Sequence, residues 1–500
     1  MKAGLLFNDY HKYRALEMLP GLISWTTLIG AVVLTFTTPL TIVYVILAYD
    51  FYWMVKVTYV SSFLILSFVK YKRTMRVDWA QRCQELPAYR HIYHIVFIPN
   101  ASESLQVVES TFQALAQSDY AKDRVIIVFA AEQRFPVSVS NGQTMQQRYG
   151  QEYAAFVVTE HPDGLAGELA AKGANLAWAG KQLKTLIDQR QIPYADIIVT
   201  VLDVDSCVEK QYLYYLTHTY LSHPDRLHSS YQPIPMFSNN IWDSPAIMRV
   251  AATGTTFWSM SEQVRPERLL TFSSHSMPWQ ALIDVGFWQK DVVSDDSRIF
   301  VQCLLHYDGH YQVTPLHMPI YMDTVMSDNL WKSLKNLFKQ QQRWGWGSEN
   351  IPFLIWHFWG NKTIPLRQRW RHVLNQLEGH WSWATASIII FFLGYVPLHL
   401  VTVEQATAPV ATIAPQLLQI MLTIANVGLI LSVILGTLIL PRRPAHYPAT
   451  RYIFMVIQWL LLPFSTILFG SLPALNAQTR LMFGKYLGFY VTEKSRRRHP

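Results

Sequence analysis

Long apolar segments lie at both ends of the chain, and a region of mixed polarity lies between them. Residues 19–69 are almost continuously apolar, which is enough for two membrane spans at about twenty residues each. Further apolar blocks cover 383–400, 417–440 and 453–475. Between the two ends, short β-branched runs alternate with helical patterns. The pattern predicts a folded domain inserted between transmembrane helices.

The middle region begins as alternating strands and helices. Apolar runs predict strands at 94–100, 124–130, 154–159 and 197–202, and a helical pattern covers 103–117. Strand, helix and strand at this spacing predict an α/β fold with a parallel sheet, in which ligands bind at the carboxyl ends of the strands.

Composition supports a membrane protein. Half of the 500 residues are hydrophobic and only 15% are charged, which is too apolar for an ordinary soluble enzyme. The net charge of +8 does not require nucleic acid, because the basic clusters lie beside the apolar segments, where they would face anionic lipids. We therefore expect membrane lipids, and no nucleic acid, as partners. The three cysteines show no disulfide or zinc spacing, which fits a reducing compartment.

Charge also predicts which side of the membrane each flank occupies. Basic residues precede the first span and follow the second, so the positive-inside rule puts the middle domain in the cytoplasm. The loop after residue 400 carries Glu404 but no Lys or Arg, as expected outside. The tail is strongly basic, which predicts that the block at 453–475 dips into the membrane and returns, because a simple fifth span would export this charge.

These patterns divide the chain into six parts and predict a multi-pass protein of the plasma (inner) membrane. The parts are a cytoplasmic N-terminus at 1–18, a two-helix transmembrane hairpin at 19–69, a cytoplasmic α/β domain at 70–361, an interfacial amphipathic helix at 362–380, transmembrane helices with a possible re-entrant last segment at 381–475, and a basic C-terminal tail at 476–500.

Several polar residues are placed for chemistry, and each also has a purely structural explanation. Asp203 and Asp205 follow a buried strand, where paired carboxylates can hold a divalent cation on a diphosphate or simply begin a turn. Lys172 opens a helix after a glycine-bearing loop and can meet a phosphate, although a surface lysine is the simpler explanation. Asp295 and Asp296 begin a helix, where a general base and helix capping are both reasonable.

Four aromatic residues in the stretch 236–262 leave three explanations open. A sugar site, a buried core and a membrane-facing surface account equally well for this set, which consists of Phe237, Trp242, Phe257 and Trp258.

The last motif is Gln340-Gln341-Gln342-Arg343-Trp344. Together with the residues above, it makes the chain resemble the membrane-embedded family 2 glycosyltransferases, the group that includes cellulose, hyaluronan and chitin synthases. This motif matches their Gln-x-x-Arg-Trp, Asp203-Val204-Asp205 their metal-binding Asp-x-Asp, and Ser294-Asp295-Asp296 their Thr-Glu-Asp. Lys172-Gly173-Ala174-Asn175 is similar to the lysine-containing segment that binds the donor in that family and precedes the Asp-x-Asp. The resemblance covers about 94–346 and includes both membrane flanks.

The resemblance implies a GT-A-type (Rossmann-like) domain that performs inverting glycosyl transfer. Asp203 and Asp205 would hold Mg²⁺ or Mn²⁺, and Asp296 would be the catalytic base with Asp295 beside it. The implied donor-binding residues are Glu132, Lys172, Asp203 and Arg343, and the implied acceptor-binding residues are Trp344, Gln340 and His275. The family commonly has Asp where this chain has Glu132, which leaves uridine selectivity open.

The expected partners are a nucleotide-sugar donor, UDP-linked, and a growing glycan or lipid-linked acceptor. A glycan-exporting enzyme could also take accessory export subunits. One alternative is transfer of a single sugar to a polyprenyl phosphate carrier. Another is a transporter or receptor whose inserted domain only binds a ligand, although the spans hold few charges beyond Asp50 and Lys56.

Overall fold

A computed structural model describes residues 7–393, 396–400, 409–488 and 490. Within these ranges a mixed α/β domain lies between long apolar helices at the two ends of the chain. This arrangement confirms the fold class expected from the sequence. The basic residues at 491–500 and half of the predicted outside loop, residues 401–408, lie outside the described residues.

One eight-stranded sheet forms the centre of the domain. In chain order its strands are β1 Tyr93–Asn100, β2 Val125–Glu132, β3 Ala155–His161, β4 Ile197–Val201, β5 Cys207–Val208, β6 Ser229–Phe237, β7 Ser276–Pro278 and β8 Gln312–Met322. They lie in the order β3-β2-β1-β4-β7-β6-β8-β5. The first four pair in parallel, whereas β7 is antiparallel to both β4 and β6. The parallel half is the part that the strand and helix pattern predicted.

Helices cover both faces of the sheet and form the two flanks. In chain order they are α1 Phe7–Thr37, α2 Pro39–Thr74, α3 Trp79–Gln84, α4 Leu105–Ala116, α5 Pro136–Tyr149, α6 Lys172–Gln189, α7 Tyr212–Ser222, α8 Ala246–Glu262, α9 Trp279–Asp284, α10 Asp295–His306, α11 Leu330–Gly345, α12 Asn350–Phe358, α13 Leu366–Ile388, α14 Val396–Leu400, α15 Pro409–Leu438, α16 Arg451–Ile457, α17 Leu462–Thr466 and α18 Leu472–Met482.

The parallel strands bury both of their faces. Ile95 and Phe97 of β1 point into one apolar cluster, together with residues of α6. Val96 and Ile98 point into a second cluster, together with residues of α4. Because both faces are covered, the strands are almost continuously apolar, and polar side chains appear mainly where the strands end. The chemistry of the domain is therefore concentrated at the carboxyl edge of the sheet.

Among the described residues, four helices are long and apolar enough to cross a membrane. They cover Asp9–Thr37, Pro39–Thr74, Thr412–Leu438 and Arg451–Met482. Two of them precede the α/β domain and two follow it, which agrees with the expectation that the domain is inserted between membrane segments.

The flank after the domain is helical throughout its described residues. The predicted interfacial helix at 362–380 and the start of the span predicted from 383 fall on α13, which continues into a π-helical turn at Ile389–Leu393. The predicted re-entrant segment falls on Arg451–Met482, a run of helical segments, and its return within the membrane stays a prediction. Its prolines stand at the starts of α17 and α18, next to 3₁₀ and π turns, where a missing N–H is tolerated.

Candidate active site

The acidic motifs meet at the carboxyl edge of the parallel strands, around the side chain of Lys172. This residue begins α6, and its Nζ lies 3.2 Å from Oδ1 of Asp203 and 2.6 Å from Oδ1 of Asp296. Oδ2 of Asp295 lies 3.8 Å from the same nitrogen. The Lys172 side chain is only 8% exposed, so the simpler explanation of a surface lysine is wrong.

Lys172 stays charged in this position. Burial by itself would lower the pKa of its ammonium, but Asp203, Asp296 and Asp295 raise that pKa above its ordinary value. One fixed positive charge therefore compensates carboxylates from two motifs that lie far apart in the sequence.

The two carboxylates of the second acidic motif differ in access. The Asp296 side chain is 23% exposed, whereas that of Asp295 is 2% exposed. Burial raises the pKa of Asp295, and the nearby Asp296 raises it further, although Lys172 and Arg343 act in the opposite direction. Both residues are in the first turn of α10, where acidic side chains interact favourably with the helix dipole, and the N-cap position itself is Ser294. Only Asp296 is open enough to meet a substrate hydroxyl.

The two carboxylates of the Asp-x-Asp motif also differ. The Asp203 side chain is 26% exposed and accepts a hydrogen bond from the hydroxyl of Ser273. Asp205 is buried, and its Oδ2 accepts a hydrogen bond of 2.8 Å from the backbone N–H of Asp323. Asp203 thus lies at the mouth of the site, and Asp205 lies behind it.

A hydroxyl-rich loop that the sequence analysis did not single out ties the two acidic motifs together. Thr271 donates a hydrogen bond of 2.6 Å to the backbone carbonyl of Asp296, while Ser273 donates to Asp203. Ser274 adopts φ 64°, which is unusual for a residue other than glycine, and its hydroxyl lies 3.0 Å from that of Ser206. The sequence signal for this loop was the cluster of serines between the two acidic motifs.

His275 lies behind the carboxylates rather than on the open side of the site. Its side chain is fully buried, and Nδ1 donates a hydrogen bond of 2.9 Å to the carbonyl of Phe272. The same nitrogen lies 3.9 Å from Oδ1 of Asp296. Burial lowers the pKa of His275, so the ring is neutral. In this position His275 supports the Asp296 side of the site, which differs from the acceptor contact expected from the sequence.

Trp344 lies near the end of α11, and its ring forms one wall of a small cavity. Its ring centre is 5.9 Å from that of Phe237. Gln340, Gln341 and Asp323 line the same cavity with these two rings. Of the aromatic residues with three open explanations, Phe237 therefore lies at the site.

The other three aromatic residues of that set do not line this cavity. Phe257 stacks on Trp459 with an interplanar angle of 8°, and Trp242 packs against Tyr452. These two rings therefore join the domain to the helical run Arg451–Met482. Trp258 is 48% exposed on α8, and its ring packs edge-on against Phe272, next to Ser273 of the hydroxyl-rich loop.

Glu132 lies at the same edge of the sheet, at the end of β2. It is buried, and its Oε2 lies 3.3 Å from Nε of Arg134 and 3.3 Å from Nδ1 of His161. This acidic residue therefore has charged neighbours that the sequence analysis did not foresee.

The chemistry of the site fits a divalent cation bound together with a ligand. Asp203, Asp295 and Asp296 surround Lys172, Arg343 acts on Asp295, and Asp203 already binds an ammonium group. Among the described residues, no cluster of three His, Cys, Asp or Glu side chains could hold a metal by itself. Carboxylate oxygens such as those of Asp203 are of the kind that Mg²⁺ and Mn²⁺ bind in proteins, alongside oxygen atoms of a bound phosphate.

Comparison with known families identifies the kind of protein that carries this site. The sequence model described as glycosyl transferase family group 2 matches residues 198–467, more than half of the chain. The chain belongs to this family. It is therefore a glycosyltransferase, and the matched range includes both acidic motifs and the Gln-x-x-Arg-Trp helix.

Similar solved structures are distant from this chain. One is the mannosyltransferase PcManGT from Pyrobaculum calidifontis in complex with GDP-Man and Mn²⁺, at 13% identity and a TM-score of 0.38, covering 87% of this chain and 99% of that chain. Another is S. aureus TarS 1-349, at 12% identity and a TM-score of 0.33, covering 69% of this chain and 92% of that chain. No curated protein sequence matches. The donor and acceptor must therefore be argued from the site itself.

Proposed function

We propose that this glycosyltransferase moves a sugar from a UDP-linked donor to a growing glycan or lipid-linked acceptor, with inversion at the transferred carbon. The observation that carries the proposal is the position of Lys172, whose ammonium joins Asp203 to Asp296. A donor diphosphate and an acceptor hydroxyl need groups of these two kinds side by side.

The donor diphosphate would lie near Asp203, Lys172 and Arg343. The N-terminus of α6 supplies backbone N–H groups and a positive dipole end there, which favour phosphate. Asp203 and Asp205 would hold Mg²⁺ or Mn²⁺, which when bound neutralises charge on the leaving nucleotide. One oxygen of Asp205 already accepts a hydrogen bond from the N–H of Asp323, so Asp205 would contact the cation less directly than Asp203.

Asp296 would act as the general base. Its carboxylate takes the proton of the acceptor hydroxyl while the oxygen attacks the anomeric carbon, and the bond to the nucleoside diphosphate breaks on the opposite side. Lys172 and the hydroxyl of Thr271 hold this residue in place. Asp295 is too buried for this step, so we assign it a supporting role.

Trp344 would stack on the acceptor sugar. Its ring, the ring of Phe237 and the amides of Gln340 and Gln341 offer one apolar face and several hydrogen-bonding groups, which is the combination that carbohydrates require. The next residue, Gly345, lies close to Ala474 of α18. A Cβ added at Gly345 would lie 2.9 Å from the Cα of Ala474. The acceptor wall is therefore fixed against the helical run Arg451–Met482.

Contacts between the catalytic domain and both ends of the helical run Arg451–Met482 support a cytoplasmic C-terminal tail. Arg451, at the start of this run, donates a hydrogen bond to the carbonyl of Trp242, and Asn476, near its end, accepts one from Gln342. A helix that touches the catalytic domain at both ends would lie along the membrane surface rather than cross it. We propose that α1, α2, α15 and the span predicted from the sequence at 383–400 cross the inner membrane and that the catalytic domain is cytoplasmic.

Nucleotide release from a panel of UDP- and GDP-sugars tests this function. We expect release from a UDP-sugar in the presence of Mg²⁺ or Mn²⁺, stimulated by a glycan acceptor. Stimulation by polyprenyl phosphate alone, with one sugar added per carrier, would favour the single-sugar alternative. Binding of a ligand without any nucleotide release would contradict the proposal.

A further inference from the structure

Four alternating charged side chains connect the end of β2 with the segment that precedes Asp295. Oε2 of Glu132 lies 3.3 Å from Nδ1 of His161, and Nε2 of His161 lies 2.9 Å from Oε2 of Glu168. Oε1 of Glu168 then accepts a hydrogen bond from the ammonium of Lys290. We call this set the charged row. Glu132 and His161 are paired positions on the neighbouring strands β2 and β3.

A doubly protonated His161 satisfies both of these contacts. Ionised carboxylate oxygens only accept hydrogen bonds, so each ring nitrogen then donates to one of them. Burial by itself would lower the pKa of His161, but the hydrogen bonds to Glu132 and Glu168 outweigh it and raise the pKa. The other neighbours are Arg134, which pairs with Glu132, and the indole of Trp178, whose ring meets the imidazole edge-on.

The charged row also fixes the segment 162–171, which we call the donor loop because it leads from His161 to Lys172. Gly164 and Gly167 have φ of 74° and 79°, which lets this loop turn twice. Glu168 anchors it to both His161 and Lys290. The N–H of Leu169 donates to the carbonyl of Lys290 at 2.9 Å, and Arg134 donates to the carbonyl of Ala170 at 3.2 Å.

We propose that His161, as an imidazolium, is a positioning residue that holds the donor loop in place and thereby sets the affinity for the nucleoside diphosphate of the donor. The inference rests on the proposed function, because it takes the diphosphate to bind beside Lys172. Loss of one proton would turn a ring lone pair toward a carboxylate and release one anchor of the loop. Donor binding therefore weakens as the pH rises through the pKa of His161.

Steady-state kinetics of purified full-length protein, from about pH 5.5 to about pH 8.5, test this role. In the wild type we expect the KM for the donor to rise about ten-fold over this range, with a smaller change in kcat. His161→Gln should have the high KM at every pH, because a neutral amide cannot replace both charged contacts. His228→Gln is the matched control, since His228 pairs with Asp225 elsewhere in the domain.

Two further variants guard against misfolding of the His161 variant. Glu168→Gln and Lys290→Met remove anchors from the loop side, and we expect each to raise the donor KM and to flatten its pH dependence. Wild-type KM and pH dependence in His161→Gln would overturn the inference. So would an equal loss of kcat in all three variants together with a lower melting temperature, because that pattern indicates general destabilisation. A wild-type protein that releases no nucleotide from any donor would instead contradict the proposed function.

Discussion

The ammonium of Lys172 lies 2.6 Å from Oδ1 of Asp296, although 124 residues separate the two along the chain. The contact connects the helix that follows the donor loop with the acidic motif at the start of α10. In the proposed function, donor binding and acceptor activation would therefore share one buried cation.

Replacing that cation should impair both steps. Lys172→Met leaves Asp203 and Asp296 without their shared counter-charge, and hydrogen bonds to charged groups contribute about 1.5–3 kcal/mol each. We expect donor binding to weaken about ten- to hundred-fold and transfer to fall further. Lys181→Met, at an exposed position of the same helix, is the control and should behave as wild type. Equal donor affinity in both variants would show that Lys172 does not contribute to donor binding.

We expect transfer to require a divalent cation and both carboxylates of Asp203 and Asp205. Asp203→Asn and Asp205→Asn should each abolish transfer, while the amide at 205 can still accept the N–H of Asp323 and preserve the fold. Turnover at a series of Mn²⁺ and Mg²⁺ concentrations, with chelator as the reference, measures the effect. Near-normal turnover of either variant in chelator would show that the assignment to a metal is wrong.

Trp344 should affect the acceptor more than the donor. Trp344→Ala removes one wall of the cavity beside Phe237, and we expect the KM for the acceptor to rise about ten-fold while donor binding changes little. Trp331 is 77% exposed on the same helix, so Trp331→Ala is the matched control. If both variants kept wild-type acceptor KM, the acceptor would have to bind elsewhere.

Membrane topology can be measured by labelling single cysteines in a variant that lacks Cys83, Cys207 and Cys303. Lys362→Cys and Lys485→Cys should be labelled from the cytoplasmic side, and Pro409→Cys from the other side. Labelling of Lys485→Cys together with Pro409→Cys would mean that the helical run Arg451–Met482 crosses the membrane. Labelling of all three from one side would contradict the membrane assignment of α15.

Part of this site could be predicted from the sequence because strands covered on both faces must be apolar until they end. Asp203 stands out at the end of β4 for that reason, and Glu132 at the end of β2. The family motifs added Asp296 and Trp344. Periodicity does not report contacts between distant loops, so the roles of Thr271 and Ser273 could not be seen.

The helical flank was harder to predict for a similar reason. Apolar length gives the number of candidate spans but not the direction of a helix, and proline is compatible with a turn or a continuing helix. The contacts of Arg451 and Asn476 with the catalytic domain needed the tertiary structure.

The most direct test compares donor affinity and transfer rate in Asp296→Asn and Asp295→Asn, with Asp291→Asn as an exposed control five residues before Asp296. A general base contributes about a hundred- to ten-thousand-fold in rate, whereas a helix cap contributes only about 1 kcal/mol of stability. If Asp296 is the base, its variant should lose transfer by at least about a hundred-fold while binding donor and metal nearly as wild type, and Asp295→Asn should be milder. Unchanged transfer with a slightly lower melting temperature in Asp296→Asn, or loss of donor binding, would contradict the account.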